Sequence, residues 1–212
     1  MTVTGTREAT PLAETPSAVG IIERQAIDIA RPSHPQQLLG QIPGVAIGVT
    51  NGEGHTTAIR QGFTTSPLYL FLEDGIPVRA TGNFNHNALY ELNIPSAGGV
   101  EVVRGIGSAL YGSDAIGGVI NFITRSDYEG LDFGLLYGDT DEGGADKKTA
   151  TISGGVGDLN EDGYNLFAVF DYQQLGALRS SQREFIRERP LAEVLPALMS
   201  SNTYPANIDV SS

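Results

Sequence analysis

Few residues in this chain have the type and spacing that chemistry requires. The adjacent carboxylates Glu73-Asp74 suggest a general acid–base pair. They fall in a stretch of strand character, however, where neighbouring side chains point to opposite faces and cannot flank one substrate. Gly105-Ile106-Gly107 begins like a dinucleotide-binding loop, but Leu110 stands where the third glycine belongs. A phosphate loop needs Gly-Lys-Ser/Thr, and the only lysines, Lys147 and Lys148, lie far from any such loop. With 3 His and no Cys there is no thiolate site and little from which to build a histidine metal centre. His34 reads as a solvated residue at the start of a helix. No nucleophile and base stand at an interpretable spacing. The expectation is a protein that is not an enzyme and carries no cofactor and no metal.

The glycines Gly105, Gly112, Gly117 and Gly118 are left with a structural role. They lie between two β-branched runs, Val100 to Arg104 and Val119 to Thr124, of strand length and composition. Ser108-Ala109-Leu110-Tyr111 predicts one helical turn capped by Ser108. Upstream, residues 17–49 read as strand, helix, helix, strand. Ile22, Ala26 and Ile29 form the apolar face of the first helix. The second is capped by Ser33, carries Leu38, Leu39 and Ile42, and ends at Pro43-Gly44. Ala58 to Phe63 follows a polar loop, and Arg60, a lone arginine beside a strand, reads as a surface charge. Leu68 to Leu72, an Asp74-Gly75 turn and Ile76 to Val78 predict a hairpin. Residues 79–87 form a polar loop that offers a binding surface, followed by a helical turn over 88–92.

The formal charge of −12 repels phosphate backbones and excludes nucleic acid as a partner. The 27 Gly, 11 Pro and 40% hydrophobic residues are neither collagen-like nor disordered. No apolar run is long enough for a transmembrane helix, which leaves a membrane β-barrel open because its strands are only half apolar. After Arg125 the texture changes to alternation. Asp132 to Tyr137, Lys148 to Val156 and Tyr164 to Tyr172 are near the ~9–11 residues of a tilted membrane strand. Gly- and Asp-rich turns join them, and residues 191–199 predict a short helix in a long loop.

Several of these stretches carry a resemblance. Glu101-Val102-Val103-Arg104-Gly105, Ser108-Ala109-Leu110-Tyr111-Gly112 and Ala115-Ile116-Gly117-Gly118-Val119-Ile120-Asn121 resemble the end of the plug domain of TonB-dependent outer-membrane receptors. Leu38 to Val45 is similar to the family's leucine-leucine to proline-glycine-valine signature. Arg60-Gln61-Gly62-Phe63 matches its isoleucine-arginine-glycine-phenylalanine motif with Gln61 interposed. Leu72, Asp74, Gly75, Pro77 and Val78 match its valine-aspartate-glycine-valine-proline-valine element.

The resemblance implies an α+β plug domain, a small mixed sheet with short helices, over residues 1–125. The first antiparallel strands of an incomplete transmembrane β-barrel follow over 126–212. Three strands cannot close a barrel, and the family's plugged barrel has about 22, so the resemblance implies a fragment. No basic and apolar leader precedes Thr2, so the chain is expected to begin downstream of an export signal. Residues 1–7 correspond to an arm at the TonB box, with Thr2, Val3 and Thr4 as the coupling residues that a TonB energy-transducing complex grips by strand addition. From composition alone this segment reads as an edge strand or a mobile arm. Arg60, Glu101 and Arg104 correspond to the plug–barrel contact. Phe63, Thr64, Arg79, Asn83, Phe84, Asn85 and His86 are ligand-binding candidates by position. The implied protein is a monomer in the outer membrane of a Gram-negative cell, with its N-terminus periplasmic. It would contact lipid and import a small ligand: a ferric siderophore or other metal chelate, a vitamin or a sugar. The competing reading is a soluble glycine-rich β module that recruits a partner by strand addition.

Overall fold

The computed structural model describes residues 2, 4–32, 34–49, 55–63, 68–78, 93–159 and 161–184. The described parts of the chain form two compact units, one from Met1–Asp132 with Ser153–Val169, the other from Phe133–Ile152 with the residues from Phe170 on. Within the first unit, β1 (Val19–Glu23) leads into α1 (Arg24–Ala30), α2 (Gln36–Leu39), β2 (Val45–Val49) and β3 (His55–Ile59). The strands β4 (Tyr69–Glu73), β5 (Ile76–Pro77) and β6 (Ala97–Val103) follow, then α3 (Ser108–Tyr111) and β7 (Gly118–Thr124).

Five of these strands make a mixed sheet in the order β1-β6-β7-β4-β5. All neighbours are antiparallel except β4 and β7, which run parallel. β2 and β3 pair separately as an antiparallel hairpin. Alternation along each strand gives the large sheet two faces. On one, Val100, Val102, Ile120, Phe122, Tyr69 and Phe71 pack with Ile27, Leu38, Leu39 and Ile42 from the helical layer. On the other, Val19, Leu70, Leu72, Val103 and Val119 pack around Ala115. A strand buried on both sides reads as a continuous apolar run, which is why VEVV and VINFI look as they do.

Three local expectations are corrected. Ser108 does not cap α3: Gly107 occupies the cap with no side-chain bond, its carbonyl accepting from Leu110 and Tyr111 N–H, and Ser108 is the first helical residue. Ile29 does not join the core, being 76% exposed; Ile27 is the buried residue of α1. Ile22 belongs to β1, and Ile27 and Ile29, two positions apart on a turn of about 3.6 residues, point to nearly opposite sides of the helix, so only Ile27 meets the sheet. α2 ends at Leu39 with Gly40 as its cap, one turn before Pro43-Gly44. Ser33 and the stretches 88–92 and 191–199 lie outside the described residues.

The four expected structural glycines have geometric reasons, in conformation or in space. Gly112 holds φ +90, a left-handed value that L side chains rarely adopt. At Gly118 a Cβ would lie 2.5 Å from the Val103 carbonyl oxygen and 2.7 Å from Ile59 Cδ1, so only glycine lets β7 begin there. A Cβ at Gly117 would come within 2.8 Å of the Leu68 carbonyl oxygen, and Gly105, which faces open space, holds φ +154.

The last three strands, β8 (Gly130–Gly138), β9 (Lys147–Val156) and β10 (Leu166–Leu175), form an antiparallel meander of 9, 10 and 10 residues. Each shows one apolar face in alternation: Leu131, Phe133, Leu135 and Tyr137 on β8, Ile152 and Val156 on β9, Leu166, Phe170 and Tyr172 on β10. All of these are exposed. The opposite face is mixed: Thr151 Oγ1 donates there to Asp171 Oδ1 at 2.7 Å, while Leu136, Phe167 and Val169 occupy other positions of the same face.

Candidate functional site

Two residues interrupt the apolar runs of the central strands, Glu101 on β6 and Asn121 on β7, and they stand directly opposite each other in the register. Both are almost fully buried, at 4% and 2% exposure. A buried carboxylate or amide is costly unless its hydrogen-bonding atoms are met, and here the N-terminal arm meets them. Thr2 Oγ1 donates to Glu101 Oε2 at 2.7 Å, and the Thr4 amide donates to the same oxygen at 2.8 Å. Asn121 Nδ2 donates to Thr4 Oγ1 at 3.0 Å. Tyr111, at the end of α3, donates from its hydroxyl to the Thr4 carbonyl at 3.0 Å.

The arm is folded upon itself as well. Thr2 and Thr10 exchange backbone hydrogen bonds of 2.9 and 3.0 Å, and the Arg7 guanidinium lies 4.8 Å from the centre of the Tyr111 ring. Thr2 and Thr4 are in consequence buried. Of the two readings open from composition, edge strand or mobile arm, the structure has a docked segment stapled to the sheet by side chains. Burial pushes the Tyr111 hydroxyl above its usual value; Arg7 opposes the shift and the Glu101 charge adds a smaller push. The phenol therefore stays a donor at neutral pH.

A cavity of about 370 Å³ lies beside this cluster, lined by Arg7, Asp74, Gly75, Tyr111, Asn121 and Ile123. Its far wall is the β4–β5 turn. Asp74 and Gly75 have φ of 49° and 80°, the paired left-handed residues of a tight hairpin turn. The Asp74 carboxylate accepts from the Thr124 amide at 2.8 Å and from the Thr124 hydroxyl at 2.5 Å, while the Gly75 amide donates to Asn121 Oδ1 at 3.1 Å.

The remaining expected site residues fall elsewhere. Arg60, with φ 53°, donates from Nη1 to the Arg104 carbonyl at 3.2 Å; Arg104 donates from Nη1 to the Pro43 carbonyl at 3.0 Å. The two arginines are thus brought together at the turn that ends with Gly44. Glu101, grouped with them in the sequence, has its carboxylate turned to the arm. Phe63 is exposed. Val3, Thr64, Arg79, Asn83, Phe84, Asn85 and His86 lie outside the described residues. Asn121, Tyr111 and Asp74 were not singled out as site residues. The signal for Asn121 was present, since it is the polar exception in VINFI, as Glu101 is in VEVV.

A sheet with buried acid and amide, an arm laid across them and a following meander of outward apolar faces define a plug-and-barrel protein. The TonB-dependent Receptor Plug Domain family matches residues 11–119, more than half of the 212 residues, and the chain belongs to that family. The family is one of receptors, not enzymes. The chain is 36% identical over 128 residues to the vitamin B12 transporter BtuB of Vibrio vulnificus (strain CMCP6), covering 58% of this chain and 20% of that one. Among solved structures it resembles P. aeruginosa FpvA bound to heterologous pyoverdines, with a TM-score of 0.61 at 21% identity, covering 81% of this chain and 22% of that one. It also resembles the ferric citrate transporter FecA in the unliganded form, with a TM-score of 0.59 at 24% identity, covering 75% and 25%. The chain spans about a fifth of the length of the curated relative that it matches.

Proposed function

We propose that the protein is an outer-membrane receptor that imports a scarce solute by energy coupling, with the plug of residues 1–125 gating a barrel that begins at 126. The observation that carries this reading is the outward apolar face of β8–β10, where Leu135 is 88% exposed and Phe133 70%. Such a face fits lipid. It would be an aggregation surface in water. The solute is a ferric siderophore or another metal chelate, a reading supported by the iron and vitamin B12 ligands in the relatives' names. It binds on the side of the polar loop 79–87, with Phe63 and Thr64 contributing, and brings its own metal.

Thr2, Val3 and Thr4 form the segment gripped by a TonB energy-transducing complex on the periplasmic side. Because Thr2 and Thr4 are buried against Glu101, the docked arm is the resting state, and coupling requires its release. Ligand occupancy and arm exposure are then linked, each biasing the other. Arg60 and Arg104 contact the inner barrel wall, and the receptor acts as a monomer.

The test is outer-membrane fractionation and ligand uptake for the whole receptor. It compares the intact protein with one lacking residues 2–7 and with cells whose energy coupling is disabled. Uptake that vanishes while ligand binding persists is expected. A protein found in the soluble fraction, or uptake indifferent to both changes, would reject the receptor in favour of a soluble strand-addition module.

A further inference from the structure

Asn121 stands at a junction that the transport reading leaves unused. Its amide is buried in a strand otherwise made of Val119, Ile120 and Phe122, where every polar atom needs a partner. The Gly75 N–H can only donate, so it fixes Oδ1 toward the β4–β5 turn and leaves Nδ2 pointing at Thr4. One rigid planar group therefore holds the turn at 3.1 Å and the arm at 3.0 Å. The cavity lined by Arg7, Asp74, Gly75 and Tyr111 lies alongside this contact. Arm and turn are thus bridged by a polar strut beside an open cavity. The turn is anchored to the far end of β7 by groups other than Asn121, namely Asp74 with Thr124 and the Asp74 amide with the Phe122 carbonyl at 2.9 Å. It continues into β5, Ile76–Pro77.

We propose that Asn121 is a positioning residue that ties the docked arm to the Asp74–Gly75 turn, so that loosening the turn releases Thr2 and Thr4. The inference rests on the coupling-arm reading for its purpose but not for its test. A displacement of Gly75 pulls the amide out of plane with Thr4 Oγ1. Glu101, opposite Asn121, then holds the arm with one fewer support.

The experiment is a double-mutant cycle in the whole receptor in outer-membrane vesicles, with a nitroxide at the exposed position of Glu8 (Glu8→Cys) and spectral mobility as the readout. Asp74→Gly removes the turn's side-chain anchor while suiting its left-handed φ. It is expected to raise the mobile fraction of the label severalfold. Asn121→Leu raises it further, and in that background Asp74→Gly adds nothing. Should Asn121→Leu fail to fold, Thr4→Val serves, since it removes the acceptor for Asn121 Nδ2 and leaves the Gly75 bond to Asn121 Oδ1 in place. Additive effects, or an arm indifferent to Asp74→Gly, would overturn the tie. Mobility needs no transport, so additive label changes beside an arm-dependent uptake would reject this inference and leave the coupling reading standing. A non-additive cycle in a receptor without uptake would do the reverse.

Discussion

The β6–β7 pair and the β8–β10 meander are built from the same residue types and meet opposite surroundings. Val100, Val102, Val119 and Ile120 are wholly buried, whereas Leu131, Phe133, Leu135 and Leu166 are more than half exposed. The first sheet covers both faces with material from its own chain: helices and a hairpin on one, the arm and α3 on the other. In the meander one face of each strand finds no cover among the described residues. Burial on both sides makes a strand tolerant of runs such as VINFI, while a single apolar side demands alternation. The difference teaches that local sequence pattern reports how many apolar neighbours a strand will have, and not whether those neighbours are protein.

The largest break in this comparison comes from emptying the plug core. Ile120→Ala should cost about 2–5 kcal/mol, because the transfer energy of the lost carbons adds to a cavity that the packed sheet cannot close. Hydrogen exchange of the β6 and β7 amides would report it. Leu135→Arg should cost about 2–4 kcal/mol when the strand sits at the membrane midplane, measured as folding stability in a bilayer. A change near zero would put that face in water and make the two regions alike.

Effects at the arm are smaller. Glu101→Ala leaves the Thr2 hydroxyl and Thr4 amide without their acceptor, a loss of about 1–3 kcal/mol for each that stays buried. The arm is expected to leave the sheet for water instead, and trypsin should cut after Arg7 faster than in the parent receptor. An unchanged cleavage rate would mean that Glu101 does not hold the arm. The smallest effect is that of pH. The Tyr111 hydroxyl is raised in the folded protein, so its bond to the Thr4 carbonyl contributes fully below the ordinary tyrosine value of 10.0 and is lost as pH rises through the folded value. Arm protection should be flat at neutral pH and fall only as the pH rises above 10.0. In Tyr111→Phe that high-pH step should be absent, leaving a constant loss of about 0.5–1.5 kcal/mol.

Much of this architecture is written locally. The β-branched runs, the Asp-Gly hairpin and the alternating strands after Arg125 each follow from periodicity and turn chemistry that act over a few residues. Local signals failed where a boundary depended on a neighbour. Ser108 has the chemistry of a cap, but the close start of β7 at Gly118 and the turn at Gly107 set where α3 begins. Ile29 continues an apolar spacing from Ile22, but Ile22 belongs to β1 and the face that α1 turns to the sheet is that of Ile27.

The site was legible in part. Thr2, Thr4 and Glu101 could each be singled out from motif position, yet nothing in the sequence joins residue 2 to residue 101. Their hydrogen bonds span 97 to 117 positions, and such separations are closed only by the pairing of β1 with β6 and β6 with β7. Sequence by itself determined the β-branched runs of β6 and β7 and the alternating strands after Arg125, since those patterns are properties of adjacent residues. Only the tertiary structure decided that Glu101 and Asn121 face each other beneath the arm, because a buried charge and a buried amide acquire their meaning from the groups that come to satisfy them.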